Sequence, residues 1–257
     1  MMGRLRFVVA AIVSPAFDSR SRAVRAAIEA TLGYTLILIT VWSPHSFRHY
    51  VGLAAAFWIF GVMLLDGQAE ESSDLGIRAL WRCSWAVAIA LALSACTVML
   101  AAYLGTLHFH SGPVAGRAPM MGYMLWSVLQ QIILQQFLMT RLLVLFRKPR
   151  PAVLMAALLF ALAHVPNPLL TAVTVLWGVT SCWLYLRYRS LIAVAAIHFI
   201  LGATLADCVP ATIHGNMRVG LGYLNYHAHS PRAQALVPLA TATPALRPDN
   251  AAGGRHE

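Results

Sequence analysis

Long runs without a charged side chain constrain this sequence more than any other feature. Six such runs are present: 30–47, 49–65, 83–116, 118–140, 151–186 and 190–206. An ionisable side chain at the centre of a bilayer costs at least about 2.5 kcal/mol, and a membrane-spanning helix needs about 20 mostly apolar residues. Only 11% of the residues are charged and 59% are hydrophobic, which is too little polar surface for a soluble domain. The runs therefore predict an all-α polytopic membrane helix bundle.

The run 151–186 is long enough for two spans, and Pro166-Asn167-Pro168 is the natural break between them. With this break, the sequence predicts seven transmembrane helices. Their approximate ranges are 28–43, 50–65, 84–105, 120–146, 152–166, 168–186 and 190–207.

Basic residues precede alternate predicted spans, which is the positive-inside pattern. They are Arg4, Arg6, Arg20, Arg22 and Arg25 before the first span, Arg78 and Arg82 before the third, Arg147, Lys148 and Arg150 before the fifth, and Arg187 and Arg189 before the seventh. This predicts a cytoplasmic N-terminus and an external C-terminus. The net charge of +10 is then mostly a topology signal. No nucleic-acid partner is expected, since no basic stripe alternates with aromatic residues.

The chain divides into three predicted regions. Residues 1–119 hold three transmembrane helices, 120–207 form a four-helix core, and 208–257 form a polar, largely disordered tail. The short apolar run 7–17 favours an interfacial or re-entrant helix, because it is too short to span. His108 and His110 form a pair in the loop before the fourth span, and a solvated loop is favoured over a metal site there.

The fourth predicted helix carries an unusual group of amides, namely Gln130, Gln131, Gln135 and Gln136. At 100° per residue, the first three share an arc of about 140° with Ser127, and Arg141 lies on the same side. Unpaired amides are costly in lipid, so this face should look into the bundle. Interhelical hydrogen bonding is the simpler explanation for one glutamine, but it is less satisfactory for four.

Two histidines also fall within predicted spans. By helical rise, His198 lies about 12 Å and His164 about 18 Å from the inner ends of their helices, and Gln130 about 15 Å from its outer end. In a core roughly 30 Å thick, these depths predict that the three side chains occupy one layer near the bilayer midplane.

These residues resemble the CPBP family of intramembrane proteases, which includes CAAX prenyl endopeptidases and bacteriocin-processing enzymes. The family pattern is EExxxR on one helix, FxxxH about thirty residues later and HxxxN on a following helix. Phe160 and His164 match the second motif, while His198 and Gly202 align with the third. Gln130-Gln131 and Gln135 align with the first motif, 34 residues before His164. The resemblance covers about 120–207.

The resemblance implies an intramembrane endopeptidase that contacts membrane lipid and acts on a membrane-associated peptide or protein. It implies catalytic positions at His164, His198, Gln130 and Gln131. It also implies a water or substrate site at Gln135, Phe160 and Gly202. A divalent metal such as zinc would use His164 and His198, but two ligands are too few for a tight site, so little bound metal is expected. A bacterial inner membrane is the expected location.

Departures from the family pattern concern the chemistry directly. Both glutamates are glutamine, the arginine is Gln135 and the asparagine is Gly202. A neutral amide cannot accept a proton from water, so the usual general base is missing. Of the nine acidic residues, only Asp207 is expected near the motif helices, and it lies half a turn away from His198 and about 13 Å along the helix. His164 could serve as the base itself.

The missing carboxylates leave two further hypotheses. One is a catalytically silent relative that binds a peptide or stabilises a membrane complex. The other, a small-solute transporter with a polar midplane site, is weaker because the two halves of the chain show no related pattern.

Overall fold

The computed structural model describes residues 15–66, 77–107 and 117–228, and all elements in these ranges are helical. The long helices are α1 (Pro15–Trp42), α2 (His45–Leu65), α4 (Ser84–Leu104), α5 (Arg117–Gln131), α8 (Pro168–Tyr188) and α9 (Leu191–Cys208). Shorter helices are α3 (Ile77–Arg82), α6 (Met139–Phe146), α7 (Pro149–Leu162), α10 (Ala211–His214) and α11 (Gly220–Ala228). A π-helix (Ile132–Leu138) joins α5 to α6, and a 3₁₀ turn (Gly215–Met217) follows α10. The all-α polytopic bundle is confirmed.

Six helices within the described residues are long and apolar enough to cross a membrane. Their outer faces carry large apolar side chains such as Phe57, Tyr103 and Leu176, which suits contact with lipid tails. The predicted fifth span, 152–166, is the exception. Its helix α7 has only 14 residues, or about 21 Å, because the chain turns at 163–167 before α8. By length, the expectation of seven full spans is therefore corrected to six spans and one shorter apolar helix.

Helix ends follow local sequence rules. Asn167 caps α8 by accepting a hydrogen bond from the Leu170 amide at 3.1 Å, with Pro168 in the first turn. Ser190 caps α9 in the same way through the Ala193 amide at 3.3 Å. These two caps set where α8 and α9 begin.

Small residues let α7 and α8 approach closely, which is common between membrane helices. A Cβ placed on Gly178 would lie 2.8 Å from the Cα of Ala157. Ala152, Ala156 and Ala161 are buried on the same helix α7. Helix α9 packs against α4 and α5, while α1 packs against α2 and α6. The result is a cavity between the N-terminal helices and the motif helices.

Residues 208–228 lie in the region assigned to the tail by sequence, and here they form α10, the 3₁₀ turn and α11. Asn167 Nδ2 donates hydrogen bonds to the carbonyls of His214 at 2.7 Å and Arg218 at 3.0 Å. The Gly220 amide donates to the Val165 carbonyl at 3.0 Å. This segment is therefore attached to the turn between α7 and α8. Residues 229–257, the run 7–14, and the pair His108 and His110 lie outside the described residues.

Candidate active site

One cavity of about 630 Å³ lies between the helices and contains the predicted histidines. His164, His198 and Gln130 line it together with Phe160 and Gly202. The rest of its lining is largely aliphatic and aromatic, and none of the described lining residues is Asp, Glu, Lys or Arg. The cavity is thus an apolar chamber with a few polar groups at defined positions, which is the usual character of a small-molecule or peptide site.

The two imidazoles are brought together by Phe160. Its ring centroid lies 4.9 Å from that of His164 and 6.0 Å from that of His198, so the two imidazoles are at most about 11 Å apart. Trp177 packs on the other side of His198, with ring centroids 5.8 Å apart. The structure therefore places both histidines on one cavity, as the depth argument predicted.

His164 lies two residues beyond Leu162, the last residue of α7, in the turn that follows this helix. Its Nδ1 lies 2.7 Å from the Phe160 carbonyl. A carbonyl oxygen only accepts, so Nδ1 carries the hydrogen and donates it. Nε2 then holds the lone pair, and no hydrogen-bond partner for it is seen among the described residues. His164 thus offers a proton acceptor to the cavity.

His198 has the opposite arrangement. Its Nδ1 lies 3.1 Å from Nε2 of the Gln131 amide, which donates, so the hydrogen of the neutral ring is on Nε2. The Gln131 amide oxygen in turn accepts from Gln135 Nε2 at 3.1 Å, and Gln135 Nε2 also lies 3.4 Å from Ser181 Oγ. A chain of two amides thus orients the ring, as second-layer hydrogen bonds commonly do.

Only one of the three glutamines expected at the site lines the cavity. Gln130 does so, whereas Gln131 and Gln135 are fully buried behind it. The π-helix explains part of this arrangement, because its i→i+5 bonding changes the helical phase after Gln131. The expectation that Gln131 and Gln135 line the water and peptide site is wrong in its geometry. Gln131 contacts His198, and Gln135 contacts Gln131.

Gly202 faces the cavity next to Tyr123. A Cβ on Gly202 would overlap the Tyr123 hydroxyl and lie 2.9 Å from Cζ. Phe199 packs against the same tyrosine ring with centroids 6.0 Å apart. The position aligned with the family's asparagine is therefore filled by a side chain from another helix.

Two buried polar groups in the cavity wall lack a hydrogen-bond partner. They are the Trp177 indole nitrogen and the Ser94 hydroxyl. Such groups are expensive to leave unpaired in a native protein.

Two further acidic residues, Glu29 and Asp66, also lie near the motif helices. Asp207 does not line the cavity, whereas Arg141, on α6, pairs with Glu29 Oε2 at 3.2 Å and with Asp66. Arg25 pairs with the same two carboxylates. The expectation that only Asp207 lies near these helices is wrong. However, Arg141 is ten residues beyond Gln131, or roughly 15 Å by helical rise, so this network is structural and distant from the histidines.

A signal for Glu29 was present in the sequence. It lies inside the predicted first span, and an ionisable residue within a span usually has a specific partner. Tyr123 and Trp177 gave no comparable signal, because aromatic residues are common in membrane helices.

Comparison with known proteins places a family match on this part of the chain. Residues 118–204 match the model of the family described as Type II CAAX prenyl endopeptidase Rce1-like. The matched segment runs from α5 into α9 and includes both histidines, Gln130, Gln131 and Gly202. No curated protein and no solved structure matches the chain significantly.

Proposed function

We propose that the chain is an intramembrane endopeptidase acting on a membrane-proximal peptide, since residues 118–204 match the model of the Type II CAAX prenyl endopeptidase Rce1-like family. The observation that supports it best is that two imidazoles line one apolar cavity, one with a free proton acceptor and the other with a free hydrogen-bond donor. His164 offers a lone pair on Nε2, and His198 offers an N–H at Nε2. Hydrolysis of a peptide bond needs a proton acceptor for the attacking water and a hydrogen-bond donor for the oxyanion.

The reaction follows from these two atoms. His164 Nε2 accepts a proton from a water molecule as the water oxygen attacks the peptide carbonyl carbon. The carbonyl oxygen becomes an oxyanion, and His198 Nε2–H donates a hydrogen bond to it. His164 then returns the proton to the leaving amide nitrogen, and the C–N bond breaks. Gln131 keeps His198 in the donor form required for this role.

Gln130 supplies a neutral amide to the cavity and acts by hydrogen bonding to water or to the peptide backbone. It cannot take the proton, so the base is His164. The cavity is largely apolar, which is suited to a lipid-modified or hydrophobic segment. The substrate class named in the family's description, a prenylated CAAX end, is therefore the first candidate substrate.

Zinc does not fit the donor set of this cavity well. Catalytic zinc usually takes three protein ligands, whereas the described lining offers two imidazoles and no carboxylate or thiolate. No group of three or more His, Cys, Asp or Glu that could hold a metal occurs among the described residues. In the proposed reaction, His164 therefore acts on the water directly.

The experiment uses the full chain in liposomes and a farnesylated peptide ending in a CAAX sequence. Wild type should cleave the peptide, and His164→Ala should lower the rate at least about 100-fold, which is within the range for a general base. His49→Ala is the matched control, because His49 is exposed on α2 and does not line the cavity. Equal rates for wild type and His164→Ala would exclude the assigned role.

A catalytically silent relative is the second candidate. It is favoured by the neutral amides at Gln130 and Gln131 and by the absence of carboxylates from the described cavity lining. Such a protein would hold a peptide in the cavity or stabilise a membrane complex. Gln130→Glu and Gln131→Glu discriminate between the two. Activity that appears only in these variants supports the silent protein, while activity lost from an active wild type shows that the amides have their own role.

The chain is an integral membrane protein. We further propose a bacterial inner membrane, on the basis of the family resemblance, and a cytoplasmic N-terminus, on the basis of the distribution of basic residues. A membrane-impermeant thiol reagent added to intact cells would test this, using a cysteine introduced at Arg22. Labelling from outside the cell would contradict the proposed orientation.

A further inference from the structure

Most hydroxyl groups that line the cavity already donate a hydrogen bond to a main-chain carbonyl. Tyr34 donates to the Leu159 carbonyl at 2.7 Å. The four lining threonines each donate to the carbonyl four residues earlier in their own helix; they are Thr40, Thr97, Thr174 and Thr204. Tyr123 differs, because no main-chain carbonyl of the described residues accepts its proton. The side chain of Ser127 is the polar neighbour of the Tyr123 hydroxyl, and the Ser127 hydroxyl also donates to the Tyr123 carbonyl at 2.9 Å.

Packing holds the Tyr123 hydroxyl at one position in the cavity. The ring lies between Phe199 and the bare backbone of Gly202, and any side chain at residue 202 would displace the hydroxyl. Gly202 is one helical turn beyond His198, about 6 Å along α9. Both residues line the cavity. The phenol O–H therefore lies on the same side of α9 as the imidazole N–H of His198.

We propose that the Tyr123 hydroxyl is a second hydrogen-bond donor to the peptide carbonyl oxygen, acting beside His198 while that oxygen carries negative charge. This inference rests on the proposed endopeptidase function. The family pattern has an asparagine at the position of Gly202, and here the hydroxyl of Tyr123 reaches the same place from α5. A neutral, fixed donor in a cavity without charged side chains is well suited to stabilise a developing oxyanion, because it needs no reorganisation during the reaction.

The first test compares Tyr123→Phe with Tyr34→Phe in the full chain. Both changes remove one phenol oxygen from the same cavity, but the Tyr34 hydroxyl is committed to a carbonyl. Tyr123→Phe should lower kcat about 100-fold with little change in KM, in keeping with the loss of one oxyanion donor. Tyr34→Phe should act mainly on thermal stability. An unchanged kcat in Tyr123→Phe would overturn the inference.

A second variant tests whether the position of the Tyr123 hydroxyl matters. Gly202→Ala should displace the hydroxyl and lower kcat in the wild-type background, but lower it little further in the Tyr123→Phe background. Residues that act through one contact are non-additive in this way. Additive losses would mean that Gly202 and Tyr123 act separately, which would also overturn the inference.

A binding measurement separates this inference from the proposed function. The probes are two non-hydrolysable farnesylated peptides that differ only at the scissile position, one with a phosphinate and one with a methylene ketone. Wild type should bind the tetrahedral phosphinate more tightly by at least about tenfold, Tyr123→Phe should lose that preference, and Tyr34→Phe should keep it. No preference in wild type, or the same preference in Tyr123→Phe, refutes the donor role even if wild type is an active peptidase. A Tyr123-dependent preference without any peptide cleavage refutes the peptidase activity and leaves the donor site in place.

Discussion

Arg141 and Arg25 bind the same two carboxylates but differ greatly in burial, so replacing each one should affect the stability of the protein differently. The Arg141 side chain is 3% exposed and the Arg25 side chain 59%. Arg141 pairs with Glu29 and Asp66, donates to Thr140 Oγ1 at 2.9 Å, and lies over the Phe137 ring at 4.8 Å. Through these contacts it joins α6 to α1 and to the end of α2.

Arg141→Met should destabilise the protein markedly. Breaking a buried ion pair from one side typically costs 3–5 kcal/mol, since the partner charge stays buried without compensation. Glu29 keeps Arg25 at 2.6 Å, so the expected loss is at the lower end, about 3 kcal/mol, or roughly a hundredfold in the ratio of folded to unfolded protein. Arg25→Met should change the stability little, because exposed pairs are screened by water and salt.

Reversible unfolding in mixed micelles, followed by circular dichroism, measures both variants under one condition. In the triple variant Arg141→Met, Glu29→Gln and Asp66→Asn, the two carboxylates that lose their buried partner are replaced by neutral amides. This variant should regain most of the lost stability. Equal destabilisation by Arg141→Met and Arg25→Met would refute the reasoning. So would a triple variant that is no more stable than Arg141→Met.

Two further predictions concern the site and the segment behind it. Gln131→Met should lower kcat about 10- to 100-fold, because the His198 ring loses the hydrogen-bond donor that orients it. Gln136→Met should have little effect, since Gln136 does not line the cavity and is only half-buried. Similar kinetics for the two variants would contradict the role of Gln131 in orienting His198. Asn167→Ala should cost about 2–4 kcal/mol, because it removes the α8 cap and leaves the His214 and Arg218 carbonyls without their donor. Limited proteolysis should then cut between 211 and 228 earlier than in wild type, and an unchanged cleavage pattern would show that Asn167 does not hold this segment.

Helix boundaries were predicted best where only local properties decide them. The spans 84–105 and 168–186 correspond to α4 (Ser84–Leu104) and α8 (Pro168–Tyr188), because hydropathy and capping residues act over a few neighbours. The first span was predicted to begin at residue 28, whereas α1 begins at Pro15. The charges at Arg20, Arg22 and Arg25 marked an end in the sequence, but in the structure Arg25 is neutralised by Glu29 and Asp66.

The candidate site was predicted in part. His164, His198 and Gln130 do line one cavity, as their spacing and the family pattern indicated. The glutamine face was derived for a regular α-helix, and the π-helix at Ile132–Leu138 changes the direction of Gln135 relative to Gln131. A π-helix depends on the packing around it, so residue spacing alone did not reveal it.

The sequence by itself determined that the chain is a bundle of apolar helices with a small set of embedded polar residues, since the cost of charge in lipid acts on each residue independently of its distant neighbours. Only the tertiary structure decided which polar groups meet. Gln131 reaches His198 across 67 residues of chain, Arg141 reaches Glu29 across 112, and Tyr123 occupies the space that Gly202 leaves empty. Such pairings depend on how the helices rotate and slide against one another, and hydropathy carries no information about either.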